Sequence, residues 1–193
     1  MAAPVAVVLA LGANLGDALA TLAAAVEQLA GTDGLELVAL SPVASTQPVG
    51  GPDQPPYLNA VVLARTTLSP AAVLARAHEV EQAAGRERLV RWGPRTLDID
   101  LIQYGDPPDT ARSTDPELTL PHPRAAERAF VLWPWAAADP DAVLVDADGR
   151  PSGVAAAAER AADRPGLAAG PAWPLGSLAA ALAAPVDAPE VAR

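Results

Sequence analysis

The run LDIDLIQYG, residues 97–105, decides how the rest of the chain is laid out. Apolar Leu97, Ile99 and Leu101 alternate with Asp98 and Asp100, the period of an extended strand. Taken as a strand, it completes the order β-α-β-β-α-β. Just before it, RERLVRWGPRT reads as an exposed loop. Upstream of that, SPAAVLARAHEVEQAAG (69–85) has good helix ends: Ser69 as N-cap, Pro70 at the first helical position and Gly85 as the stop. The preceding YLNAVVLARTT (57–67) is a strand. Residues 44–56 (ASTQPVGGPDQPP) are too rich in proline and glycine for regular structure and read as a long, stiffened loop.

Further back, VAVVLAL (5–11) is an apolar run of strand length. Leu15, Leu19, Leu22, Val26 and Leu29 then recur at spacings of four and three, the stripe of an amphipathic helix closed by Gly31 and Gly34. LELVALSPV (35–43) gives the second strand. The expected fold class is α+β: a four-stranded antiparallel sheet with two helices on one face. Beyond it, helices are expected at 124–137, interrupted near Pro134, and at about 153–163. Residues 1–163 form the expected domain, and 164–193 an Ala/Pro-rich extension. In that extension Trp173, Leu175, Leu178 and Leu182 suit a short amphipathic element, and a mobile tail suits the composition equally.

Composition removes several kinds of chemistry. The chain has no cysteine, so a thiolate metal site and a cysteine nucleophile are excluded. All thirteen basic residues are arginine, which excludes a Walker A lysine and a Schiff-base lysine. A net charge of −10 argues against general nucleic-acid binding, which needs a broad basic face. The apolar N-terminus lacks a basic leader and is broken by Pro4, and no apolar run is long enough to span a bilayer, so the expected location is the cytoplasm. An anionic ligand must therefore meet a local cluster. Arg86, Arg88, Arg91 and Arg95 supply one, four of the thirteen within ten positions.

Directly after that cluster come the two aspartates. Alternate strand residues share a face, which sets the Asp98 and Asp100 Cα atoms about 6.5–7 Å apart. Ionised carboxylates so close repel and raise each other's pKa, so a compensating charge is needed. Two magnesium ions about 3.5–4 Å apart suit such a pair, and magnesium with arginine is what a polyphosphate requires. An isolated D-x-D is more often a solvated strand end; the adjoining arginines weigh against that here. Tyr57 and Asn59 are also alternate residues of one strand. On a shared face with the aspartates, they would offer an aromatic surface and a directional amide to a planar heterocycle. His122, in TLPHPR, is either structural or a donor to a phosphate.

These segments resemble the 6-hydroxymethyl-7,8-dihydropterin pyrophosphokinase family. The likeness is carried by RWGPRTLDIDLI, with LALGANLGD, STQPVGGPDQPPYLNAVV, EQAAGR and LTLPHPRAAERAFVLWPW around it in the family's order. It covers roughly residues 5–150 and implies a ferredoxin-like βαββαβ core with C-terminal helices. It also implies transfer of the β,γ-pyrophosphoryl unit of ATP to the pterin's hydroxymethyl oxygen, with AMP released. By position, it implies that Asp98 and Asp100 bind two Mg2+ ions and that Arg88 and Arg95 act in catalysis from a mobile loop. Trp92 would close over the pterin, Tyr57 and Phe130 would sandwich it, and Asn59 would read its edge with main-chain help near Thr46 and Val49. Glu81, Arg86, Leu101, Thr119 and His122 would join Arg88 and Arg95 around ATP. The arginine loop is about one residue short of the family pattern, and His78, Glu117 and Pro123 depart from it. A monomer acting on small molecules, without nucleic acid or membrane, is the expectation; the rival is a non-catalytic nucleotide- or pterin-binding domain.

Overall fold

A computed structural model of the chain describes residues 3–48, 54–85, 96–162 and 166–174. Its elements in order are β1 (Val5–Ala13), α1 (Ala18–Ala30), β2 (Leu35–Leu40), β3 (Ala44–Thr46), β4 (Tyr57–Thr66), α2 (Pro70–Ala83) and β5 (Asp98–Tyr104). There follow β6 (Ser113–Asp115), β7 (Leu118–Leu120), α3 (Ala129–Ala138), β8 (Val143–Val145), β9 (Pro151–Gly153), α4 (Val154–Arg160) and β10 (Leu167–Ala169).

One antiparallel sheet organises the chain in the order β10-β3-β4-β1-β5, with β2 also paired to β4. β2 and β3 follow one another along the same edge of β4, opposite residues 62–66 and 57–59 respectively. Among the described residues the sheet therefore has six strands, where four were expected. The two additions are β3, inside the segment read as irregular, and β10, from the extension. Each has three residues, too few to show a period, and each is defined by its partner strand.

Both faces of the sheet are covered by helices. Val7, Leu9, Leu11, Val62, Ile99 and Leu101 point to α1 and α2, where Leu22, Val26, Leu29, Val73, Ala77 and Val80 meet them. On the opposite face Val8, Val61 and Ile102 pack against Val131, Leu132 and Trp135 of α3 and Val154 and Ala157 of α4. The expectation of helices on one face thus holds for α1 and α2, and the other face is occupied by α3 and α4. Strand alternation sends Leu101 and Ile102 into opposite cores, and β5 shifts register against β1 between Val8 and Leu9, at Ile102.

Local chemistry sets the helix ends. Asp17 caps α1 by accepting from the Ala20 N–H at 3.0 Å, so the helix begins after Leu15, which is left 36% exposed outside the stripe. Ser69 caps α2 at Ala72 N, and Gly85 follows the helix at φ +75°, where glycine is at ease. The stretch expected as a helix from 124 instead makes a 3₁₀ turn at Ala125–Glu127; α3 starts at Ala129 after an extended Arg128. α4 is shorter than expected, seven residues. No helix among the described residues is long and apolar enough to cross a membrane.

Candidate active site

The strand register builds the site. On the α3 side of the sheet, Asn59 of β4, Gly12 of β1 and Asp98 of β5 lie opposite one another in a row. The next row is Val61, Ala10 and Asp100. Ile99, between the aspartates, is buried in the helix-side core, so both half-buried carboxylates belong to the same face. Tyr57 and Asn59 share that face with them. The four residues occupy one end of it, and α3 covers the other end. A separate cavity of about 370 Å³, with Arg65, Asp106 and Trp135 in its wall, lies toward that far end.

Glycine at position 12 keeps the first row open. A Cβ there would stand 3.2 Å from Asn59 Oδ1. The Asn59 amide donates from Nδ2 to Thr46 Oγ1 at 2.9 Å, which ties β4 to β3 on the same face. Asn14, 3% exposed at the end of β1, donates from Nδ2 to Gln54 Oε1 at 3.0 Å and to the Pro55 carbonyl at 3.1 Å. Tyr57 Oη donates to the same Gln54 oxygen at 3.1 Å. A buried amide and a phenol thus fix the entry into β4.

The outer edge of β5 is held from two sides. Glu81 of α2, 2% exposed, accepts the Ile99 N–H at 2.7 Å, directly between the two aspartates in the chain. The His122 N–H donates to the Ile102 carbonyl at 2.9 Å, which brings that loop against the strand. His122 Nδ1 accepts the Arg124 N–H at 3.3 Å, so the neutral ring carries its proton on Nε2. Burial holds the His122 pKa below the ordinary imidazole value; Asp100 opposes this, and Arg128 and Arg124 reinforce it. Thr119 Oγ1 donates to the Asp115 carbonyl at 2.9 Å and keeps acceptor capacity. The Leu101 side chain is in the helix-side core. Phe130 is half-buried at the start of α3, with the Arg128 guanidinium 5.2 Å from its ring centroid.

The structure therefore brings together Thr46, Tyr57, Asn59, Asp98 and Asp100 on one sheet end, with Glu81 and His122 along the edge. Val49, Arg86, Arg88, Trp92 and Arg95 lie outside the described residues. Gly12, Asn14, Gln54 and Arg128 were not singled out from sequence. Asn14 was legible as a polar residue ending an apolar strand, whereas Gly12 acquires its meaning only from the strands beside it.

The described site is thus one end of an antiparallel sheet, where paired carboxylates lie beside an aromatic ring and an amide. The family model for 7,8-dihydro-6-hydroxymethylpterin-pyrophosphokinase (HPPK) matches residues 8–140. The chain is 47% identical over 144 residues to the 2-amino-4-hydroxy-6-hydroxymethyldihydropteridine pyrophosphokinase of Mycobacterium tuberculosis (strain ATCC 25618 / H37Rv), covering 72% of this chain and 74% of that one. It is 46% identical over 136 residues to the enzyme of that name from Methylorubrum extorquens, covering 70% and 84%. In fold it is similar to wild-type HPPK-DHPS of Plasmodium falciparum, with a TM-score of 0.59 at 12% identity over 82% of this chain and 45% of that one. The chain belongs to the HPPK family. It transfers the pyrophosphoryl group of ATP to 6-hydroxymethyl-7,8-dihydropterin, a reaction of folate biosynthesis.

Proposed function

We propose that Asp98 and Asp100 hold two magnesium ions against the ATP phosphates, while Tyr57, Asn59 and Phe130 hold the pterin beside them. The row Asn59–Gly12–Asp98, followed by Asp100 one step along the strand, carries this reading. It puts a directional amide and two hard oxygen donors on one face without a side chain between them. The donor set suits magnesium, which binds proteins through one or two carboxylates and takes its other oxygens from phosphates and water. When bound, magnesium neutralises phosphate charge and makes the pterin hydroxyl easier to deprotonate.

The protein's own contribution is positioning. A bond forms between the hydroxymethyl oxygen and the β-phosphorus, the hydroxyl proton passes to water, and the bond from that phosphorus to the bridging oxygen breaks, that oxygen leaving with AMP. The Asn59 carbonyl and its second N–H suit the donor–acceptor edge of the pterin, and the Tyr57 and Phe130 rings suit its faces. His122 presents Nε2–H, a donor for a phosphate oxygen and not a base. Glu81 acts by fixing the Ile99 backbone and so the spacing of the aspartates. Arg86, Arg88 and Arg95 bring charge to the phosphates, and Trp92 closes over the pterin with Val49 nearby. The same reading takes residues 1–163, whose sheet β10 of the extension joins, as a ferredoxin-like catalytic domain, monomeric and cytoplasmic, without nucleic-acid or membrane partners.

Asp98→Ala and Asp100→Ala should each abolish AMP formation from ATP and the hydroxymethyl pterin, with pterin binding kept in part. Normal AMP production by either variant at saturating magnesium refutes the assignment.

A further inference from the structure

Residues 166–174 lie beyond the segment that matches the family, yet they are bonded to the scaffold of the pterin side. β10 lays Leu167, Ala168 and Ala169 opposite Thr46, Ser45 and Ala44 of β3. The Gly170 N–H donates to the Val43 carbonyl at 2.8 Å, and the Gln47 N–H donates to the Gly166 carbonyl at 3.3 Å. At the far end, the Trp173 indole N–H donates to the Ser41 carbonyl at 2.7 Å. Ser41 is fully buried, and its N–H and Oγ are both bonded to the main chain of Val61 at 2.9 Å. The indole supplies a donor to the remaining main-chain group of that residue.

These contacts grip residues 41–47 along their outer side. β3 needs this, because three residues paired on one edge fray readily. Thr46 is the last residue of β3, and its hydroxyl accepts from the Asn59 amide. The terminal torsion of an asparagine is soft, so where its amide rests depends on where that hydroxyl is held. We propose that residues 166–174 are a strap that positions Thr46, and through it the Asn59 amide, for recognition of the pterin edge. Trp173 and Gly170 are its positioning residues. The inference rests on the reading of Asn59 given above.

Both contacts can be broken in the full-length chain. Trp173→Phe keeps a ring and removes the donor. Gly170→Val forces contact, since a Cβ there would lie 2.8 Å from Val43 Cγ1 and 2.9 Å from the Val43 carbonyl oxygen. Steady-state kinetics with each substrate varied, together with amide hydrogen exchange over residues 41–47, tests the strap. Both variants should raise the pterin KM at least threefold, leave the ATP KM unchanged and speed exchange over 41–47. Faster exchange with an unchanged pterin KM makes the strap structural only and overturns the proposal; unchanged exchange overturns it as well. Asn59→Ala in the same assay separates the two levels. An unchanged pterin KM there overturns the Asn59 reading itself, whereas a raised one with normal strap variants overturns only the strap.

Discussion

Gly12 separates the Asn59 and Asp98 side chains by having none. With Asn59 on one side and Asp98 on the other, any side chain in the row intrudes, and Gly12→Ala would press within 3.2 Å of Asn59 Oδ1. The expected result is a several-fold rise in pterin KM with the ATP KM unchanged; equal rises in both would place the damage elsewhere. His122 carries the pH dependence at this scale. Its folded pKa lies below the free imidazole value of about 6.5, so the unfolded chain binds its proton more readily. Its share of stability is complete above that value and is lost as pH falls below it toward the folded pKa. Urea unfolding of the ligand-free protein at pH 7.5 and 5.5 should show a smaller acid loss in His122→Gln than in wild type; equal losses would contradict this. The aspartate pair was legible because alternation alone puts both on one face. The partners of Tyr57 and Asn59 were not, since Gln54, Thr46 and Gly12 reach them across a loop or between strands.

Elements long enough to show a period or a cap were legible. β1, β4 and β5 read directly as strands, and α2 announced itself through Ser69, Pro70 and Gly85. Short elements were hidden: β3 exists because β4 and β10 satisfy its backbone, and β10 because β3 satisfies its own, which no local pattern encodes. α3 begins at Ala129, later than the expected 124, because residues 125–128 are held by turn hydrogen bonds instead. Ser69→Ala should cost about 1 kcal/mol of stability through loss of the bond to Ala72 N, measurable by urea unfolding. Glu81 joins two elements, since its carboxylate meets the Ile99 N–H inside the protein. Glu81→Ala leaves that donor without its partner, at about 1–3 kcal/mol. Melting temperature and kcat should fall together in that variant, and Glu81→Gln, which retains an acceptor oxygen, should restore much of both. A Glu81→Ala enzyme changed only in ATP KM would show a direct nucleotide contact instead.

For the molecule as a whole, the division of labour follows the sheet. One face buries α1 and α2 and gives rigidity; the other gives one end to α3 and α4 and the opposite end to the proposed site. A chain of net charge −10 with no lysine has little general attraction for ATP, so charge must be supplied where the phosphates lie. The arginine run at 86–95 made that legible in the sequence, and the β5 register sets the carboxylates that follow it on the site face. Only the whole sheet joins the extension, through β3 and Thr46, to the residue read as facing the pterin. The most direct test counts metal ions. Electron paramagnetic resonance with manganese, a non-hydrolysable ATP analogue and the hydroxymethyl pterin should find two coupled ions per wild-type protein, and loss of at least one in Asp98→Asn and in Asp100→Asn. Two ions retained in both variants, with unchanged coupling, would contradict the account.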